Sequence, residues 1–398
     1  AVGCIEGIRE NDRKGTVTLI SSEPYHTYSR PLISYLLYGK TTEERMKYRP
    51  DDFYEKNGVT PLLGKTVTEI NPRANYVLLS DGTRIPYDKL LNATGSKPFI
   101  PPFTGLDKVE KKFTFMSLDD AKALAQALSK KSNVLVVGAG LIGLKCVEGI
   151  LDRVASVTVT DLADRILPSI LDAEAASSVQ RFLEEKGVKF LLNNSVAEFF
   201  AHSAKMKNGE IVSFDAVVLA VGVRPNTELI KEAGGEVNRG IVVDRTCKTS
   251  LPDIYCAGDC SEGYDSTIDA NRILALLPNA YMQGHCAGVN MAGGKETFDN
   301  AIPMNAIGFF GMHIITAGTY EGEVYADIDE KKYKKLFYKD GLLRGYILIG
   351  DVANAGIYTA LIRNKTPLAS IDFDLIKEKP QLMAFTRAER AKALSQPH

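Results

Sequence analysis

A six-residue turn constrains this chain more than any other stretch: Gly138-Ala139-Gly140-Leu141-Ile142-Gly143. The apolar run Val134-Leu135-Val136-Val137 leads into it, and a helical pattern follows directly. The next strand-like run, Val157-Thr158-Val159-Thr160, ends at Asp161, 18 positions after the third glycine. Strand, glycine turn, helix and acidic strand end, in that order, form a dinucleotide-binding βαβ unit. Gly138 permits the tight turn, Gly140 lets a pyrophosphate approach the backbone, and Gly143 lets the helix pack close to the sheet. The helix start at Leu141 and Ile142 presents free N–H groups and a partial positive charge to the phosphates. Asp161 would accept hydrogen bonds from both ribose hydroxyls of NAD and repel the 2′-phosphate of NADP. Arg165, four residues on, is the counterweight, since it could swing to meet a phosphate.

One such unit does not fill the chain. Its 398 residues exceed what one hydrophobic core supports, so two or three domains are expected. With 48 Lys+Arg against 49 Asp+Glu, no basic excess calls for nucleic acid or an anionic membrane. No apolar run reaches the ~18 residues that span a bilayer. The six cysteines are too few for a disulfide framework at this length, and they point to a reducing cytoplasm.

Strand-like runs alternate with helical stretches through roughly residue 290, which predicts α/β layering with parallel sheets. The start is helical: Val2, Ile5 and Ile8 recur at spacing three before Lys14-Gly15 breaks the pattern. Strand-like residues 16–20 come next. A helix followed by a strand is the second half of a βαβ unit, so an opening strand and glycine turn of roughly 10–15 residues are expected ahead of Ala1. Glu23 follows 16–20 much as Asp161 follows 157–160, and would hold a second ribose. Two dinucleotide folds suggest a relay between a nicotinamide and a flavin. Helices are predicted over 118–129, with Ser117 and Asp120 near a capping box, and over 278–292, with Pro278 in the first turn. A third region begins near Ala301, with strands at 306–310, 335–338 and 344–349 and a helix at 356–363. The tail 380–398 is helical in composition.

Four stretches carry a resemblance: residues 87–96 around Asn92-Ala93-Thr94-Gly95, the glycine turn at residues 137–143, residues 220–226 around Gly222, and residues 249–259 ending Ala257-Gly258-Asp259. In this order they resemble the two-dinucleotide-binding-domain flavoproteins of the pyridine nucleotide–disulfide oxidoreductase superfamily, over roughly residues 16–290. The resemblance implies two Rossmann-like domains, an FAD domain (1–107 and 229–298) with an NAD domain (108–228) inserted, and a smaller α+β C-terminal domain (299–398). It implies that Ala93, Thr94, Gly95, Gly222 and Gly258 line the cofactors, that Asp259 takes a ribityl hydroxyl, and that the helix start near Ala280 aims at the flavin pyrimidine. Tyr28-Ser29-Arg30-Pro31-Leu32 and the segment 347–352 look most like NADH:rubredoxin reductases and the flavin-bearing part of NADH-dependent nitrite reductase large subunits.

Two departures shape the chemistry. Relatives that reduce disulfides carry cysteine on the helix after the Glu23 equivalent, whereas residues 29–40 contain none. Reduced flavin must then pass electrons onward directly. The family pattern also has Glu two positions after the third glycine, where this chain has Lys145. A cation there alters the field around flavin and nicotinamide, so Lys145 joins Arg30 as a catalytic candidate. The alternative is that Lys145 points away and pairs with Glu148 at i+3. Arg30 faces either a flavin edge or a surface ion pair. Cys256 and Cys260 are read as structural thiols, Cys146 as core, and Cys4, Cys247 and Cys286 as isolated. Tyr25, His26 and Tyr28 are read mainly as packing, and His313 as a satisfied core residue. No metal-ligand spacing stands out.

The leading expectation is a cytoplasmic enzyme that takes hydride from NADH onto FAD and passes electrons to a redox protein such as rubredoxin or ferredoxin, or to a metal centre. Arg30, Lys40 and Arg45 could steer an acidic carrier. The alternatives are a flavoprotein subunit of a larger dehydrogenase that reduces NAD+, a soluble NADH oxidase, and a non-enzymatic NAD-binding interaction module. A homodimer is compatible with each.

Overall fold

The computed structural model describes residues 1–329 and 332–386. Most of the helical expectation for the tail therefore lies outside the described residues. Strand Asn133–Val137 is buried at four of its five positions. Such a run needs cover on both faces, which a parallel sheet with flanking helices provides. It is the middle strand of a five-stranded parallel sheet, in the order Val188–Leu191, Ser156–Thr160, Asn133–Val137, Ala216–Leu219, Lys112–Phe113. Val134 is level with Val157 on one side and Ala216 on the other. Helix Leu118–Ala127 opens with a full Ser117–Asp120 capping box.

The residues on either side of this unit form further parallel pairs. Val17–Ser21 lies along Val59–Leu63, and Leu90–Asn92 lies along Ile254–Cys256. The two crossings between units pair as well: Ser96–Pro98 runs antiparallel to Val223–Pro225, and Asn226 N–H reaches Gly95 O at 2.9 Å.

Helix Val2–Asn11 lies against helix Leu277–Met291 with their backbones in contact. A Cβ at Gly3 would stand 2.3 Å from Tyr281 O, one at Gly7 2.4 Å from His285 O, and one at Gly288 2.2 Å from Cys4 O. Glycine at spacing four on both helices is what permits this approach. His285, between Glu10 (2.9 Å) and Glu296 (3.2 Å), adds charge to the same seam.

The C-terminal region is a five-stranded antiparallel sheet, ordered Met304–Phe309, Met312–Gly318, Leu342–Ile349, Tyr333–Lys339, Glu323–Ile328. Side chains alternate faces. Tyr346 and Leu348 pack with helix Ala355–Arg363, whereas Ile347 and Ile349 join the core of Leu144, Val147 and Ile150 on the glycine-turn helix. The sheet is thus built onto the middle unit. His313 is exposed, not in the core. The same alternation that buries Ile314 turns its neighbour outward. Among the described residues no helix is long and apolar enough to cross a membrane.

Two outcomes follow from the helix seam. Gly288→Ala should destabilise by about 1–3 kcal/mol, because a methyl must push two backbones apart; chemical denaturation measures it, and Gly293→Ala does not serve as control because of its positive φ. The second concerns His285. Burial opposes its charge, but Glu10 and Glu296 outweigh burial and raise its pKa. Its contribution should be full below the ordinary imidazole value of about 6.5 and fade as pH climbs through the raised one. Denaturation midpoints stepped from acid to alkaline pH should show this loss, and His285→Asn should abolish it.

Candidate functional site

The glycine turn closes on itself sterically. Gly138 has φ +116°, and a Cβ there would lie 2.2 Å from Ala220 O; one at Gly143 would lie 2.0 Å from Gly138 O. At Gly140 nothing among the described residues stands within 4 Å of the Cβ position, so the turn is open where a pyrophosphate would approach. Gly140 is the N-cap of helix Leu141–Ile150 and offers no side chain to its free N–H groups. Asp161 accepts Ala139 N–H at 2.6 Å and Ala163 N–H at 2.8 Å, which ties the turn to the next strand end. Each carboxylate oxygen keeps a lone pair for a ribose hydroxyl. Arg165 pairs with Asp164 at 2.8 Å.

The second cluster rests on the pairing of Leu90–Asn92 with Ile254–Cys256, which sets Ala93-Thr94-Gly95 beside Ala257-Gly258-Asp259 at the carboxyl ends of parallel strands. Asn226 holds the first loop, donating to Thr94 O at 2.8 Å and accepting from Thr94 Oγ1 through its own carbonyl at 3.3 Å. Gln283 holds the second, accepting Gly258 N–H at 2.9 Å and the Ser261 hydroxyl at 3.1 Å. A Cβ on Gly258 would stand 3.4 Å from that of Ala280, so the start of helix Leu277–Met291 abuts this loop. Gly222 has φ +108° and open space before it. Among the described residues the Asp259 carboxyl meets only a long 3.5 Å contact from Ser96 Oγ, and burial pushes its pKa up against the pull of Ser96 and Arg30. A half-buried, under-bonded carboxyl group of this kind fits a polyol hydroxyl as partner.

Arg30 joins this cluster. It pairs with Glu23 at 2.6 Å and donates to the Tyr28 hydroxyl at 3.1 Å and to Met116 O at 3.2 Å. Its charge is felt at Asp259. One Glu23 oxygen is thus engaged with Arg30. The Tyr28 hydroxyl also accepts Leu118 N–H at 3.0 Å. Tyr25 instead reaches Asp119, and His26 lies against the Tyr54 ring at 4.5 Å.

Lys145 is paired with Glu148 and donates to Gly308 O at 3.0 Å, with its ammonium 4.4 Å from the Tyr35 ring centre. Tyr35 is on helix Ile33–Tyr38, which follows Arg30 and packs on helix Leu141–Ile150 so closely that a Cβ on Gly149 would stand 3.0 Å from both Ser34 O and Leu37 Cβ. One short helix, continuous with Arg30 of the second cluster and packed on the helix that follows the glycine turn, is in that sense shared by the two clusters. The six cysteines are free and buried. Cys256 and Cys260 sulfurs lie 3.4 Å apart, and Cys247, expected to stand alone, is beside Cys286, which raises its pKa.

Sequence reading missed Ser96, Asn226, Gln283 and the Tyr28 hydroxyl. Ser96 directly follows the Ala-Thr-Gly loop, a local signal. Gln283 announces itself only once helix Leu277–Met291 is placed against Gly258.

Residues 1–284 match the pyridine nucleotide-disulphide oxidoreductase family, and residues 303–366 match the rubredoxin NAD+ reductase C-terminal domain. The NADH-dependent phenylglyoxylate dehydrogenase subunit epsilon of Aromatoleum evansii is 31% identical over 386 residues, covering 93% of this chain and 91% of that protein. The assimilatory nitrate reductase electron transfer subunit of Bacillus subtilis (strain 168) is 33% identical over 88% of this chain, but the match spans only 46% of that longer protein. Among solved structures, putidaredoxin reductase in covalent complex with putidaredoxin superposes with a TM-score of 0.87 at 23% identity, covering 99% of this chain and 96% of that one. At that identity it speaks for the fold. This chain belongs to the pyridine nucleotide-disulphide oxidoreductase family of flavoproteins that use FAD and NADH, with a rubredoxin NAD+ reductase C-terminal domain at residues 303–366.

Proposed function

We propose that this chain takes electrons from NADH through FAD and hands them directly to a separate redox protein, with no cysteine pair between. The observation that carries the reading is the sharing of helix Ile33–Tyr38 by the two clusters, together with the absence of cysteine from residues 29–40. A helix that continues from Arg30 of one cluster and packs on the glycine-turn helix of the other lies where the two cofactors would meet, and it offers no thiolate.

In this reading residues 1–107 and 229–298 hold FAD, residues 108–228 hold NADH, and residues 299–398 form the third domain. Asp259 and the free oxygen of Glu23 hold flavin hydroxyls, and the loops at Ala93–Gly95 and Gly258 keep the backbone low enough for close approach. The start of helix Leu277–Met291, at Ala280, points its positive end toward the flavin. Gly138, Gly140, Leu141, Ile142 and Gly143 cradle the NADH pyrophosphate, and Asp161 favours NADH over NADPH. Arg30 and Lys145 set the charge around the reacting rings. Bound FAD supplies the link between two-electron donor and one-electron acceptor. Six free, buried cysteines suit a reducing cytoplasm, which we take as the setting. The acceptor we favour is a small acidic redox protein, in keeping with relatives named for rubredoxin and ferredoxin.

A second reading has a specific ground: the Aromatoleum relative is named as a dehydrogenase subunit, and the match covers nearly all of it. There the electrons would run from partner subunits toward NAD+. Reduction of an isolated rubredoxin or ferredoxin by NADH and the purified chain separates the two, since a bare subunit should turn over such carriers poorly.

Anaerobic titration should consume one NADH, two electrons, per FAD. A long-wavelength thiolate band or uptake of four electrons would contradict the thiol-free scheme. Asp259→Ala should weaken flavin retention by about 1.5–3 kcal/mol, the cost of a charge-assisted hydrogen bond. Equilibrium dialysis with flavin fluorescence measures it, and undiminished affinity would remove Asp259 from the site.

A further inference from the structure

The Lys145–Glu148 pair stands where three parts of the chain meet. The Lys145 ammonium donates to the Glu148 carboxylate and to Gly308 O at 3.0 Å. Glu148 is only 3% exposed, and its other oxygen accepts Phe310 N–H at 2.8 Å. Gly308 and Phe310 belong to the tip of the hairpin that joins Met304–Phe309 to Met312–Gly318, where Phe310 adopts a left-handed φ of +48°. The Phe310 ring meets Tyr38 edge-on at 5.9 Å, and the ammonium lies 4.4 Å from Tyr35. Tyr35 and Tyr38 are on the helix that both clusters share.

A buried carboxylate is costly unless it is fully engaged. An i,i+3 pair that only braced its own helix could sit in water, where it would add little. Here each charge also holds one backbone group of a turn from another domain. Lys145 takes the carbonyl before the tip, and Glu148 takes the N–H at the tip. Both groups would otherwise be left partly buried beside the Tyr35 and Tyr38 rings.

We propose that Glu148 is a positioning residue of the electron-transfer site: it fixes the Lys145 ammonium beside Tyr35 and pins the Phe309–Phe310 hairpin tip against the shared helix. The C-terminal domain thereby forms one wall of the place where NADH meets FAD. Glu148 also neutralises the ammonium, so the pair presents a balanced charge to that place. The inference rests on the reading that the cofactors meet along helix Ile33–Tyr38.

Two arms test it. In Glu148→Ala the Phe310 amide loses its acceptor, and its hydrogen exchange should accelerate on the order of tenfold, in flavin-free and flavin-loaded protein alike. Glu148→Gln keeps an acceptor oxygen but removes the charge. Exchange at Phe310 should stay near the parent rate, while the midpoint potential of bound FAD shifts positive because the ammonium is no longer offset. Lys145→Met with Glu148→Gln restores the balance and should return the potential to the parent value. Because the chain has no tryptophan, Phe310→Trp adds a single emission reporter, which flavin should quench in the parent background and quench less with Glu148→Ala. Unchanged exchange in Glu148→Ala, or an unmoved potential in Glu148→Gln, overturns the positioning role while leaving the functional reading intact. A parent that binds no FAD overturns both.

Discussion

The arrangement depends on one short pairing, three residues of strand against three, Leu90–Asn92 with Ile254–Cys256. It joins positions more than 160 residues apart and sets two loops side by side. Without it Asp259 would not stand near Ser96 and Arg30, and helix Leu277–Met291 would have no Gly258 to abut. So short a ladder is weak by itself. It is held from behind by the backbone contact between helices Val2–Asn11 and Leu277–Met291, where glycine replaces side-chain packing. Close helix packing thus supports a strand pair, and the strand pair supports the loops Ala93–Gly95 and Ala257–Asp259.

Charge is handled differently in the two clusters. Arg30 and Glu23 form a half-exposed pair that water can screen, so the pair is weak and available to rearrange around a ligand. Lys145 and Glu148 are mostly buried and bound to backbone groups on both sides, so their geometry is stiff. Asp259 lies between these extremes, partly buried and short of donors. The cluster around Asp259 has spare bonding capacity, while the face shared with the hairpin is already satisfied.

What could be read from sequence was what is local. The run 134–137, the glycines after it and Asp161 fall within one βαβ unit, and each contributes through its own backbone or its immediate neighbours. The Ser117–Asp120 cap and the helix starting near Pro278 were visible for the same reason. The Glu23–Arg30 pair, the Ser96–Asp259 contact and the Lys145–Gly308 bond were not, because each depends on tertiary placement that no periodicity encodes. Cys247 and Cys286 looked isolated along the chain and are neighbours in space. His313 misled in the opposite way: apolar neighbours suggested burial, but in a strand the next residue faces away.

The paired crossings at Ser96–Pro98 and Val223–Pro225 have a consequence for how such a protein can be assembled. Neighbouring strands lie about 4.8 Å apart, so the whole middle unit leaves and re-enters its host at adjacent points, like a graft on a single stem. The chain itself would need only a tight reverse turn to close after excision, an entropically small gap, but helix Ile33–Tyr38 and the C-terminal sheet would lose the core they pack against. The same stem would accept a different α/β unit without disturbing the strands on either side, provided the replacement offered a surface for helix Ile33–Tyr38 and for the C-terminal sheet.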